Sequence, residues 1–252
     1  MALTSYYSDD LVTIYHGDCR EIIPALSRVD AVVTDPPFFM PAAHFQSRVK
    51  WQRSWGDVSV LGTFWAAIVD LAVPQLKETG HFVTFCNGDS YPVFYPEMYR
   101  RFDTLTCLVW DKGHVGLGRI WRHQHELAIA ARWAESFVDI GGKLHSDVIR
   151  VPATPSAGRD HPVEKPAALL RAIIEPITPG SGVVLDPFMG GGSTLVAARD
   201  LGRRVIGIEI EERYCEAAVR RLSQVVLGEI APTSEAVRPP EPVQPELFDD
   251  AA

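Results

Sequence analysis

Apolar runs of five to seven residues recur along the chain, and most are followed by a segment with apolar positions at helical spacing. The runs LVTIYH (11–16), DAVVT (30–34), HFVTFC (81–86), TLTCLVW (104–110), ELAIAAR (126–132), GVVLD (182–186) and RVIGIE (204–209) predict seven strands. Residues 19–27, 61–77, 90–101, 166–177, 192–201 and 211–226 predict helices. Strands alternating with helices predict an α/β fold, with a largely parallel sheet covered on both faces. Between residues 104 and 132 two strands follow one another without a helix, which predicts an antiparallel pair at the end of the sheet.

Three segments fit neither pattern. Residues 39–60 mix aromatics, bases and glycine and read as a long functional loop. Residues 134–161 are turn-rich and read as a small recognition insertion. Residues 229–252 hold five prolines and many acids and read as a disordered tail. The remainder forms one domain, residues 1–228, with a first half over about 11–133 and a second over about 162–228.

The chain has 252 residues, 46 % hydrophobic and 22 % charged, the balance of an ordinary globular domain. No apolar run is expected to span a membrane, and MALTSYYSDD lacks the basic-then-apolar order of an export signal. Cys19, Cys86, Cys107 and Cys215 are widely spaced, which suits free thiols in a reducing cytoplasm. The net charge of −8 argues against a polyanion partner only until its distribution is considered. From Glu229 onward six acids face one base, Arg238, so the tail carries most of the excess. Arg48, Lys50 and Arg53, with Arg119 and Arg122, remain as candidate phosphate-binding groups on the body.

Two strand ends carry the chemistry. In VVLDPFMGGGSTLVAARDLGRRVIGIEI a strand, a glycine-rich turn, a helix and a second strand follow in order. Gly190, Gly191 and Gly192 let the backbone approach a ligand, and Glu209, 19 residues after Gly190, can accept hydrogen bonds from ribose hydroxyls. The turn departs from the G-x-G-x-x-G cradle of a dinucleotide site, which speaks against a nicotinamide oxidoreductase. Asp186 suits a cofactor with an amino-acid end, whose ammonium needs a carboxylate. The other strand end is TDPPF, residues 34–38. Asp35 and the Pro36 carbonyl can accept the two hydrogens of an amine, the prolines stiffen the turn, and Phe38 offers a face for a planar base. A plain Asp-Pro turn explains neither the ring nor the glycine loop.

These motifs, with GDC at 17–19 and HPVEKP at 161–166, resemble the amino-methylating DNA methyltransferases that use S-adenosylmethionine. The catalytic motif precedes the cofactor motif, as in the permuted β group of that family. The resemblance spans roughly residues 11–226 and implies a Rossmann-like methyltransferase fold with a seven-stranded mixed sheet. It implies that Asp35, Pro36, Pro37 and Phe38 hold the target amine. It places the cofactor against Phe188, Gly190, Gly192, Ser193 and Thr194, with Glu209 and Ile210 at the ribose and Asp18 and Cys19 near the adenine. Thr34, Asp186, His161, Lys165 and Pro166 flank the methionine end. The implied reaction is direct methyl transfer to an exocyclic nitrogen of a base extruded from double-stranded DNA. In the family an Asp at the first motif position goes mostly with adenine N6 and Ser with cytosine N4, so adenine is expected. A non-catalytic DNA-binding protein is the alternative from another class.

Few residues are available for target recognition, so a short target site is expected. His123, His125 and Glu126 in WRHQHE show no third metal ligand beyond the strand, and no metal site is assigned. Gln244, Leu247 and Phe248 in QPELF are similar to the peptides that dock on the bacterial sliding clamp. The resemblance also makes a homodimer plausible.

Overall fold

The computed structural model describes residues 3–37, 57–116, 120–134, 145–153 and 164–226. Nine strands form one sheet: β1 (Tyr7–Ser8), β2 (Val12–His16), β3 (Val29–Thr34), β4 (Leu76–Cys86), β5 (Thr104–Asp111), β6 (His125–Arg132), β7 (Val148–Arg150), β8 (Val183–Asp186) and β9 (Arg204–Glu209). Among the described residues six α-helices accompany them: α1 (Cys19–Ile22), α2 (Val58–Ala72), α3 (Tyr91–Tyr99), α4 (Ala167–Ile177), α5 (Ser193–Asp200) and α6 (Glu212–Val226).

The sheet order is β1-β2-β9-β8-β3-β4-β6-β5-β7. The block from β2 to β4 is parallel, and β6 runs against both β4 and β5. The expected antiparallel pair is therefore present, and the sheet is mixed. The expected strand number of seven is corrected to nine. The two additions, β1 and β7, are two and three residues long and lie at opposite edges. Strands so short carry too few side chains to show an alternating pattern, and their backbone pairing alone defines them. β7 also places Val148–Arg150, within the 134–161 segment, beside β5 in the sheet.

Each sheet face carries its own core. Val33, Val83 and Phe85 pack with Leu169 and Ile173 of α4, Leu195 of α5 and Ala218 of α6. Val32, Phe82 and Ile129 pack on the opposite face with Leu61, Trp65 and Ile68 of α2 and Phe94 of α3. Trp65 stacks on Phe94 at 4.4 Å between centroids and meets Phe82 edge-on at 5.9 Å, which ties α2, α3 and β4 together.

Helix α2 starts before its predicted position because Asp57 caps it, accepting from the Ser59 N–H at 2.8 Å. Residues 58–60, expected in the long loop, are its first turn. The segment Val58–Gln75 is long and apolar enough to cross a membrane, contrary to the expectation from sequence. Its apolar residues serve the core instead: Leu61, Trp65, Ile68, Val69 and Ala72 recur at helical spacing and are buried against the sheet.

β3 and β8 are neighbours, yet the chain leaves them toward opposite faces, through α2 and α5 respectively. Their carboxyl ends thus frame a crevice at the point where the strand order reverses, where open α/β sheets bind ligands.

Candidate active site

One cavity of about 480 Å³ opens at this crevice. It is lined by Asp35, Pro36 and Pro37 after β3, and by Asp186, Phe188, Gly190 and Gly191 after β8. Glu209 and Ile210 at the end of β9, Asp18 and Cys19 at the start of α1, and Lys165 ahead of α4 complete its wall. Two strand ends separated by about half the chain therefore face the same space.

The Thr34 hydroxyl donates to Asp186 Oδ1 at 2.8 Å, strapping the end of β3 to the end of β8. The Phe188 N–H donates to the same oxygen at 3.1 Å, and Thr194 also bonds the carboxylate. Burial pushes the Asp186 carboxyl up to about 6, outweighing these donors. Glu209 ends β9 half-buried; its Oε2 accepts from the Gly190 N–H at 3.0 Å and its Oε1 from the Glu211 N–H at 2.9 Å. The acid and the glycine turn thus brace each other. Burial raises the Glu209 carboxyl above its ordinary value despite those bonds. Asp18 caps α1 and is held by the Arg20 guanidinium, which keeps its carboxyl low.

Gly192 has φ +81°, and an added Cβ would meet the Ala218 Cβ at 2.7 Å. Only glycine allows both the left-handed turn into α5 and the close approach of α6. Ser193 accepts from Arg221 at 3.0 Å, and Arg221 also pairs with Glu164 at 2.7 Å. That fork fastens the segment before α4 to the glycine turn.

A chain of four ionic groups reaches the cavity wall through Asp35 and Lys165. Lys165, 4 % exposed, donates to Asp35 Oδ2 at 2.5 Å and lies 3.2 Å from Glu126 Oε2. Lys112 donates to the other oxygen of Glu126 at 2.6 Å. The Lys165 ammonium also lies 5.0 Å from the centre of the Phe85 ring. Burial works to lower the Lys165 ammonium, but Asp35 and Glu126 outweigh it and raise it. Burial pushes the Asp35 carboxyl up against the pull of Lys165. Asp35 Oδ1 is buried and accepts no hydrogen bond among the described residues. A buried carboxylate oxygen left in that condition is costly, and a donor from a ligand would relieve it.

Most of the residues expected from sequence meet at this cavity. Thr34, Pro166 and Gly192 stand behind its wall: Thr34 straps the two strands, Pro166 opens α4, and Gly192 opens α5. Phe38, His161, Arg48, Lys50, Arg53, Arg119, Gln244, Leu247 and Phe248 lie outside the described residues. Arg122 is exposed and donates to the carbonyls of Gly116 and Val115 at 2.8 and 3.5 Å. Sequence reasoning noticed Glu126 beside two histidines but gave it no role at the carboxylate. Its partner Lys165 lies 39 positions away, so no local spacing could have joined them. Among the described residues no cluster of side chains fits a metal ion.

The cavity fits an S-adenosylmethionine molecule. It has the volume of a small-molecule site, a carboxylate beside a glycine turn for a ribose, and a buried acid for an ammonium. Comparisons with known proteins agree. Residues 111–220 match the family model for N6/N4 DNA methylases. A putative methylase of Escherichia coli (strain K12), YubD, is 31 % identical over 212 residues, 83 % of this chain and 89 % of that protein. The Type II methyltransferase M.ScaI of Streptomyces caespitosus is 26 % identical over 263 residues, covering 86 % of this chain and 83 % of its own. The crystal structure of the M1.HpyAVI–SAM complex superposes with a TM-score of 0.66 at 26 % identity, covering 84 % of this chain and 99 % of that one. On these similarities and this cavity, the chain belongs to the N6-adenine/N4-cytosine family of S-adenosylmethionine-dependent DNA methyltransferases.

Proposed function

We propose that the protein methylates the N6 amine of an adenine swung out of double-stranded DNA, with Asp35 as the acceptor that orients the amine. The observation that carries this reading is Asp35 Oδ1, buried and without a donor among the described residues, in the same cavity as Glu209 and the glycine turn. Lys165 occupies Oδ2, so one oxygen remains for one amine hydrogen. The Pro36 carbonyl takes the second, and the nitrogen lone pair is then free to face an electrophile. S-adenosylmethionine supplies a methyl group on a positively charged sulfur. Pro36 and Pro37 stiffen the turn, so little ordering is left to be done when the base arrives. The extruded base exchanges its stacking in the duplex for apolar and aromatic contacts in the pocket.

Adenine is favoured over cytosine N4 by the aspartate at the head of the motif. The experiment is to express the protein in a host that lacks it and map modified bases by long-read sequencing. N6-methyladenine at a short recurring site is the expected outcome. N4-methylcytosine would reassign the base, and an unmodified genome would remove the activity. A recurring target of seven or more base pairs would contradict the expectation of a short site. Placement in a restriction-modification pair and in the cytoplasm follows the character of the Type II relatives, and the sliding clamp and a second copy of the chain are proposed partners.

Asp186 is assigned to the cofactor's ammonium. Its carboxyl stands at about 6, so its charge is lost as the pH falls through that value. A bound cation favours the ionised form, so affinity for S-adenosylmethionine is expected to fall about tenfold for each pH unit below 6. Calorimetric titration across that range checks this, and Asp186→Asn should bind weakly at every pH with the slope gone. An unchanged slope in that variant would assign the ammonium to another group.

A further inference from the structure

Residues 112–116, which follow β5, and 120–124, which precede β6, form a two-armed projection at the same edge of the sheet as the active-site cavity. Its root is braced from several directions. The Lys112 N–H donates to the Gln124 carbonyl at 3.0 Å and the Gly116 N–H to the His123 carbonyl at 2.8 Å. Asp111 accepts from the Gly113 N–H at 2.9 Å, from Gln124 at 3.1 Å and from Arg150 of β7 at 2.7 Å. These donors hold its carboxyl down at about 2. At Gly116 an added Cβ would lie 2.6 Å from the His123 carbonyl oxygen, so the two arms are closely apposed. The Arg122 guanidinium reaches back across the projection to two carbonyls.

This rigid support presents Ile120 and Trp121 to solvent, 87 % and 88 % exposed. No other large apolar side chain among the described residues is so exposed. Apolar groups held out in this way mark a contact surface. The segment 113–125 carries Arg119, Arg122 and three histidines and no carboxylate, in a chain of net charge −8. Its charge therefore complements a polyanion. Its root is also tied to the reacting carboxylate, because Lys112 and Glu126 lead through Lys165 to Asp35.

We propose that Ile120 and Trp121 form a DNA-contacting knuckle, with the Trp121 indole stacked on a base of the duplex whose target nucleotide enters the cavity. The cationic flanks track phosphates while the apolar pair contacts bases. The proposal rests on DNA being the substrate, and its test reads binding, separately from catalysis.

The probe is a short fluorescein-labelled duplex of mixed sequence, titrated with the full chain by anisotropy over a range of salt concentrations. Trp121→Ala is expected to weaken binding about tenfold or more, the scale of a lost base–aromatic stack. Trp121→Phe should restore most of the affinity. The slope of log affinity against log salt should be the same in all three proteins, since no cation is removed. Affinity for S-adenosylmethionine and melting temperature should not move, because the side chain is exposed. Binding within twofold of wild type in Trp121→Ala would overturn the proposal. So would a drop in affinity accompanied by a fall in molar mass by light scattering, which would assign the knuckle to a contact between two copies of the chain. A wild type that binds duplex tightly but transfers no methyl group would leave the knuckle supported and refute the proposed function alone.

Discussion

Replacing Asp35 by asparagine is expected to lower single-turnover methyl transfer by about 10²- to 10⁴-fold, the range for loss of a group that acts on a reacting proton. The isosteric change should be as damaging as Asp35→Ala, and the reason is Lys165. In the wild type the ammonium holds Oδ2 at 2.5 Å, and Oδ1 has no donor among the described residues. An amide at this position would turn its oxygen to the ammonium, which only donates. Its NH₂ would then face the amine of the base, donor against donor. The variant should keep its affinity for S-adenosylmethionine, because Glu209, Asp186 and the glycine turn are untouched. It should also stay folded, because Lys165 retains Glu126 at 3.2 Å. Rapid-quench measurement of methyl transfer, with calorimetric titration of the cofactor, checks both parts. An Asp35→Asn protein with more than a tenth of wild-type activity would show that Lys165 does not dictate which oxygen is presented.

The second large effect belongs to Lys165→Met. The methionine keeps the bulk and removes the charge of the buried Lys165, so Asp35, whose side chain is 22 % exposed, loses the one cation paired with it among the described residues. Breaking a buried pair by removing one partner costs about 3–5 kcal/mol. At about 2–4 °C per kcal/mol for a domain of this size, the melting temperature should fall by roughly 6–20 °C. Activity should change in a characteristic direction. Burial already raises the Asp35 carboxyl and Lys165 opposes it. Without the ammonium the carboxyl rises further and is protonated over more of the pH range. The ionised form is the proposed acceptor, so the variant's methyl transfer should recover as the pH rises, with its pH–rate profile displaced to higher pH than that of the wild type. A variant that melts with the wild type, or whose pH–rate profile is only scaled down, would contradict this account. Combining Asp35→Asn with Lys165→Met should give losses smaller than the sum, because the two residues share one interaction.

The site was legible where its parts are contiguous. TDPPF and LDPFMGGGST are turns at strand ends, and a turn's chemistry is written in adjacent residues. Asp35, Asp186 and Glu209, singled out from such stretches, line one cavity, and the seven longer strands and six described helices were legible from periodicity. Tertiary packing also decided how α2 uses its apolar residues, which length and composition alone would permit in a membrane. What was missed is non-local. Glu126 and Lys112 stand at the root of the two-armed projection, and their link to Lys165 exists only because β6 passes between β4 and β5. The Arg221 fork to Glu164 and Ser193 joins positions 57 and 28 apart, with nothing in either neighbourhood to announce it. The edge strands β1 and β7 were missed because two or three residues cannot display a period.

By itself the sequence determined where the seven longer strands and the helices lie, to within a few residues, where the backbone can turn sharply, and which polar side chains stand at those turns. These follow from side-chain periodicity and backbone freedom, which act over a few residues. Only the tertiary structure decided that β3 lies beside β8, so that Asp35 and the glycine turn share one cavity, and that a buried lysine claims one oxygen of Asp35 and leaves the other open. Strand order and buried ion pairs come from fitting distant faces together and from the need to compensate every charge taken out of water, and neither is encoded in any single stretch of the chain.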